Sequence, residues 1–206
     1  MTIRAVSFDL DGTLAEVKNR KFRMWPQFLR HPRVLTAWLA AVEAHRNGRD
    51  LNLDNQIAHA IALELKIAHT EVEAILSRTI GDYWPGLFKN ARTMPSVLTL
   101  ITEIDRSQIP RAVVSDHPAL KKLNLMGLDG WSSIISCRRL GALKPNPDGL
   151  WAAAAQMGVS PSELLHVGDR WDTDGAAAAV AGCAFLHIDE IGDSPPIRFK
   201  RKGPST

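Results

Sequence analysis

Four short apolar runs, each stopped by a polar or acidic residue, limit what this chain can fold into more than any other feature. Residues 3–10 end in Asp11-Gly12, residues 109–115 at Ser115-Asp116, residues 164–167 at Gly168-Asp169 and residues 183–188 at Asp189. None alternates apolar with polar residues, so both faces of each run must be covered, the condition of strands in a parallel sheet. Residues 96–104, 147–157 and 173–181, lying between the runs, carry helical spacing, with Pro95 and Pro147 at helix starts and Gly158 and Gly182 past helix ends. Strands alternating with helices predict an α/β fold, a doubly wound, Rossmann-like parallel sheet.

Residues 16–89 break the alternation. They hold helical segments at 34–45, 54–66 and 70–80 and no strand, with Asp54 and Thr70 as expected N-caps and Thr70–Glu73 spaced as a capping box. An all-helical insert directly behind the first strand lies over the carboxyl end of the sheet, where open α/β sheets place their sites. The expected organisation is a core of residues 1–15 and 90–191, a helical cap of residues 16–89 that closes as a lid, and hinges near 15–20 and 89–94. The tail, 192–206, lacks periodicity and is expected to be disordered.

Bulk properties exclude little but point one way. The 206 residues are 45% hydrophobic and 23% charged, enough for a packed core. The formal charge of +3 suits anionic small molecules as well as nucleic acid. Lys18, Arg20, Lys21, Arg23, Arg30, Arg33, Arg46 and Arg49 crowd one stretch, which reads first as a solvated helical face. Cys137 and Cys183 sit in strand-like contexts and read as buried free thiols. No apolar run is long enough for a membrane span, and Arg4, Asp9 and Asp11 interrupt the region where a secretory signal needs its apolar core. The expectation is a cytoplasmic protein with no membrane partner, and nucleic acid is not expected as one.

Asp9-Leu10-Asp11-Gly12-Thr13 carries the most chemical information. At ordinary residue usage, D-x-D-G-T arises on the order of once per 10⁵ positions. Two carboxylates two residues apart reach one small site if the backbone turns, which Gly12 permits. Their mutual repulsion raises one pKa unless a cation intervenes, and a hard oxygen cluster is what Mg2+ prefers.

With Asp9–Thr13, Ser115 after Ala112-Val113-Val114, Lys144 before Pro145 and Gly168-Asp169-Arg170-Trp171-Asp172-Thr173-Asp174 in this order, the chain resembles the haloacid dehalogenase superfamily of phosphohydrolases. The resemblance implies that Asp9 attacks phosphorus to form an aspartyl-phosphate and that Asp11 is the general acid and base. It further implies that Ser115 and Lys144 bind the phosphoryl group. Asp9, Asp169 and the Asp11 backbone carbonyl would hold Mg2+. Asp174 would support Lys144 or a metal-bound water, while Asp172 reads as a helix N-cap. The superfamily's dehalogenases lack a carboxylate matching Asp11, so its presence favours phosphate ester hydrolysis. A sugar-phosphate mutase is the alternative within this chemistry. A catalytically silent binding protein is the alternative outside it, although Asp9, Asp11, Lys144 and Asp169 are all present.

Three departures from the family's pattern bear on substrate. Asp116 stands where many relatives have Asn, and a carboxylate there would repel a phosphoryl group. Residues 117–131 look short for the usual helix. Arg170 and Trp171 replace small residues and are expected to narrow the entrance or touch substrate.

Overall fold

The computed structural model describes residues 2–46 and 48–192. Five strands form one all-parallel sheet in the order β3-β2-β1-β4-β5: β1 Ala5–Phe8, β2 Arg111–Ser115, β3 Ser133–Ser136, β4 Leu164–Gly168 and β5 Ala184–His187. The first strand occupies the centre, and the chain winds outward from it in both directions. Edge strand β3 is the run that the sequence shows only as the context of Cys137. Of the two free cysteines, Cys137 is buried and Cys183 half-buried, so burial holds for one of them.

Helices α1 Lys18–Arg23, α2 Trp25–Arg30, α3 Pro32–Ala44, α4 Leu53–Leu65, α5 His69–Leu76 and α6 Trp84–Gly86 follow β1, with a π-helical stretch, Ser77–Tyr83, before α6. Four more helices belong to the sheet: α7 Pro95–Arg106, α8 Leu120–Met126, α9 Asp148–Gln156 and α10 Ala176–Ala181. Val97, Leu100, Ile101 and Ile104 put one stripe of α7 against the sheet, packing with Phe8, Val113 and Val167. On the opposite face, α9 and α10 lay Leu150, Ala153, Ala177 and Ala178 on Ala5, Ala112 and Val114. The small alanines let these helices approach closely. Leu100 is fully buried, and truncation to Ala would cost about 2–5 kcal/mol.

Helices α3 to α5 bury their own cluster, Trp38, Ile57, Ile61 and Val72, with Leu143 of the sheet side reaching into it. Their capping differs from expectation. The N-caps are Asn52 and Ala68, neither with a side-chain bond, and no capping box joins Thr70 to Glu73. Asp54 turns instead to Arg138, 2.6 Å away, so a tertiary ion pair has taken the side chain from its local role.

The loop after α3 is fastened to the sheet side. Asp50 donates its N–H to the Gly141 carbonyl at 2.7 Å, Arg49 pairs with Asp148 at 3.1 Å, and Arg46 donates to Asp116 and to the Lys144 carbonyl, both at 2.8 Å. Gly141 has φ +74°, and a Cβ there would lie 2.1 Å from the Asp50 oxygen. Free hinging at residues 15–20 and 89–94 would have to break these ties. The disorder expected for residues 193–206 lies outside the described residues.

Candidate active site

The carboxyl ends of β1, β2 and β4 deliver Asp9, Ser115 and Asp169 to one place. Asp9 is locked by its own N–H donating to the Val167 carbonyl at 2.9 Å. Gly12, at φ +117°, makes the turn that follows, and a Cβ on it would stand 2.1 Å from Asp169 Oδ2. Glycine is therefore required twice over, for backbone conformation and for room.

Lys144 is the buried hub. Its ammonium donates to Asp9 Oδ1 at 2.6 Å, to Asp174 Oδ1 at 2.6 Å and to the Val114 carbonyl at 3.3 Å, using all three N–H bonds. Burial disfavours its charge, but Asp9 and Asp174 outweigh that and hold the amine well above its usual pKa. Asp174 also takes a bond from His166 Nε2 at 3.3 Å, and its Oδ2 accepts the Arg170 N–H at 3.2 Å. His166 Nδ1 lies 2.9 Å from Ser7 Oγ, and both residues are fully buried. Burial lowers the His166 pKa, so the ring is neutral near pH 7. A carboxylate only accepts, so Nε2 carries the proton and Nδ1 accepts from the Ser7 hydroxyl.

Burial pushes the Asp9 carboxyl up to about 7, with Lys144 opposing. It also raises Asp169, helped by the charge of Asp174. For Asp174, burial is overcome by Lys144 and His166, which hold it well below the usual range. Oxygens of Asp9, Asp169 and Asp174 lie within 4.8 Å of one another. This donor set fits a hard divalent cation, which would return the raised carboxyls to their charged form.

Asp11 faces the same cavity. The ammonium of Lys122 sits on its Oδ2, while Oδ1 is buried without a partner among the described residues. Lys122 is itself buried, its charge over the rings of Phe88 at 4.7 Å and Trp84 at 5.5 Å. Ser115 Oγ accepts the His117 N–H at 3.3 Å.

The three departures from the family's pattern do not all resolve the same way. Asp116 does not present a free carboxylate to the cavity: Arg46 neutralises it and the Lys144 N–H donates to it at 2.9 Å. The short segment still forms α8, which supplies Lys122. Arg170 lines the cavity, whereas Trp171 stacks on His187, with ring centroids 5.3 Å apart. Asp172 is not an N-cap; it pairs with Arg170.

Of the early basic residues, Lys21 and Arg46 line the cavity, while Arg23, Arg30 and Arg33 are solvated. Arg20 instead donates to the Leu87 carbonyl at 3.2 Å; the Lys18 side chain lies outside the described residues. Sequence reasoning missed Lys122, His166 and Ser7. A titratable ring inside the apolar run Leu164-Leu165-His166-Val167 was a usable signal for one of them, but nothing local distinguishes Lys122 from Lys121.

The cavity measures about 560 Å³, with these polar groups on its sheet side and helical-segment side chains opposite. Among the described residues no helix is long and apolar enough to cross a membrane.

The chain is 28% identical over 197 residues to the phosphoglycolate phosphatase of Pasteurella multocida (strain Pm70), covering 90% of this chain and 85% of that protein. It is 23% identical over 205 residues to hexitol phosphatase A of Escherichia coli (strain K12), covering 95% and 87%. The crystal structure of β-phosphoglucomutase from Clostridium difficile shares the fold, with a TM-score of 0.66 at 16% identity over 89% of this chain and 83% of that one. Residues 3–182 match the family of haloacid dehalogenase-like hydrolases, and with this sheet and this cluster at its carboxyl end the chain belongs to that family.

Proposed function

We propose that the protein is a Mg2+-dependent phosphatase that hydrolyses a small phosphorylated metabolite through an aspartyl-phosphate on Asp9. The observation that carries this reading is that Asp9 and Asp11 line one cavity together with Lys144, Ser115 and Asp169. A nucleophile alone would also serve substitution at carbon, but a second carboxylate beside it serves an ester, whose leaving oxygen needs a proton.

In this reading Asp9 attacks phosphorus, breaking the ester bond and forming the acyl phosphate. Asp11 protonates the departing alkoxide and then takes a proton from the water that cleaves the intermediate. Lys144 offsets charge on Asp9 and on the transferring group, and Ser115 donates to a phosphoryl oxygen. Asp9, Asp169 and the Asp11 carbonyl would hold Mg2+, which when bound shields and orients the incoming dianion. Asp174 keeps Lys144 charged and aimed, with His166 and Ser7 behind it. Residues 16–89 act as the cap over this site.

The experiment is phosphate release from a panel of phosphorylated metabolites, with and without Mg2+, by the parent protein and Asp9→Asn. Release that needs Mg2+ and vanishes in Asp9→Asn supports the proposal. Isomeric phosphates in place of inorganic phosphate would make the protein a mutase, and release by Asp9→Asn at the parent rate would remove Asp9 as nucleophile.

A further inference from the structure

Opposite the phosphoryl-binding groups, the helical segment faces the cavity with Met24, Phe28, Trp38, Leu39, Val42 and Trp84. Of the charged groups on that wall, Arg46 and Glu43 pair with each other, while Lys21, at its exposed rim, makes no ion pair among the described residues. Arg46 donates to Asp116, to the Lys144 carbonyl and, through Nε at 2.7 Å, to Glu43. His117, on the sheet side, lies against Trp38 with ring centroids 5.9 Å apart, and burial pushes its pKa down to about 4, so it is an uncharged ring near pH 7.

From this wall, and resting on the phosphatase reading above, we infer that the substrate is a phosphomonoester whose leaving group is apolar, of arylalkyl or branched-alkyl type, rather than a polyol. The reaction is ROPO₃²⁻ + H₂O → ROH + HPO₄²⁻, with the P–O ester bond broken and the alcohol leaving with a proton. A hydroxyl of a sugar or hexitol buried against Phe28, Leu39 and Val42, which carry no hydrogen-bonding group, would lose its water partners and gain none there, at about 1–3 kcal/mol apiece. An apolar body gains from the same contact. The size agrees: a cavity of about 150 Å³ holds a benzene ring, so 560 Å³ holds a phosphoryl group and a ring on a short chain. The relatives named for phosphoglycolate and hexitol phosphates act on polar leaving groups, so the inference separates this chain from them.

The test compares 3-phenylpropyl phosphate with sorbitol 6-phosphate, both primary alkyl esters, for kcat/KM with Mg2+. In parallel, calorimetry compares the binding of 3-phenylpropylphosphonate and methylphosphonate. A preference for the phenylpropyl compounds of about tenfold or more is expected in both assays. Leu39→Gln, at a half-exposed position, should shrink both ratios, and Phe28→Gln repeats the test from a second helix. Equal or faster turnover of sorbitol 6-phosphate would overturn the inference and leave the phosphatase standing. Preferential phosphonate binding with no turnover of either ester would sustain apolar selection and count against the phosphatase reading. Equal phosphonate binding would overturn the inference whatever the turnover.

Discussion

The ammonium of Lys122 rests on the carboxylate of Asp11 and lies over the aromatic rings of Trp84 and Phe88. One residue comes from a helix of the sheet side, the other from the turn after β1, and the rings from the end of the helical segment. The pair therefore joins the proposed acid/base to the end of the helical segment.

Lys122→Met fits the same apolar slot but leaves Asp11 without its cation. We expect kcat to fall roughly 10–100-fold, part of the contribution of a positioned acid/base, with KM altered far less. Steady-state kinetics on any turned-over ester would check this. A variant with full kcat and only a lower melting temperature would reduce Lys122 to packing.

Gly12→Ala places a methyl group into Asp169 at a backbone angle only glycine adopts easily. It should cost about 1–3 kcal/mol of stability and weaken Mg2+ binding about 10–100-fold, as displaced ligand supports do. Calorimetric titration with Mg2+ alone reads the second effect; unchanged affinity would mean that Asp169 tolerates displacement.

Asp9 ties stability to pH with a definite sign. Its folded pKa, about 7, lies above its unfolded value, 3.8, so the folded state binds the proton more tightly. Stability from this group is present in acid and is lost as pH rises from about 4 to 7. Asp9→Asn keeps an oxygen for Lys144 and never ionises. Without Mg2+ it should therefore melt above the parent at pH 8, by about 2–4 °C per kcal/mol relieved, with the gap closing toward pH 4. A gap that stays constant across that range would contradict the raised pKa.

The ties from residues 46–54 to the sheet side predict that this loop is protected whether or not substrate is bound. Asp54→Ala and Arg49→Ala together should speed amide exchange there, each pair contributing up to about 1 kcal/mol because one partner is exposed. Rapid exchange of the loop in the parent protein would instead favour a cap that swings on its two linkers.

Much of this molecule was legible in order along the chain. Apolar runs without alternation forced a parallel sheet; Asp9 and Asp169 directly follow their strands and Ser115 ends its own, because a strand that stops there delivers its terminal residues to the crevice. The edge strand β3 was hard to read because it is short and half-exposed, with Ile134 facing solvent. The cap of α4 misled because Asp54 had a better partner 84 residues away.

What the sequence alone determined is the set of groups and their strand-end spacing: two carboxylates at a glycine turn, a serine, a lysine and a third acidic run. Only the tertiary structure decided their charges and neighbours. Lys144 spends its three bonds on Asp9, Asp174 and a carbonyl, His166 is a neutral donor, and Lys122 rather than solvent faces Asp11. Burial and proximity set those states, and both arise between residues far apart in the chain, where no local pattern records them.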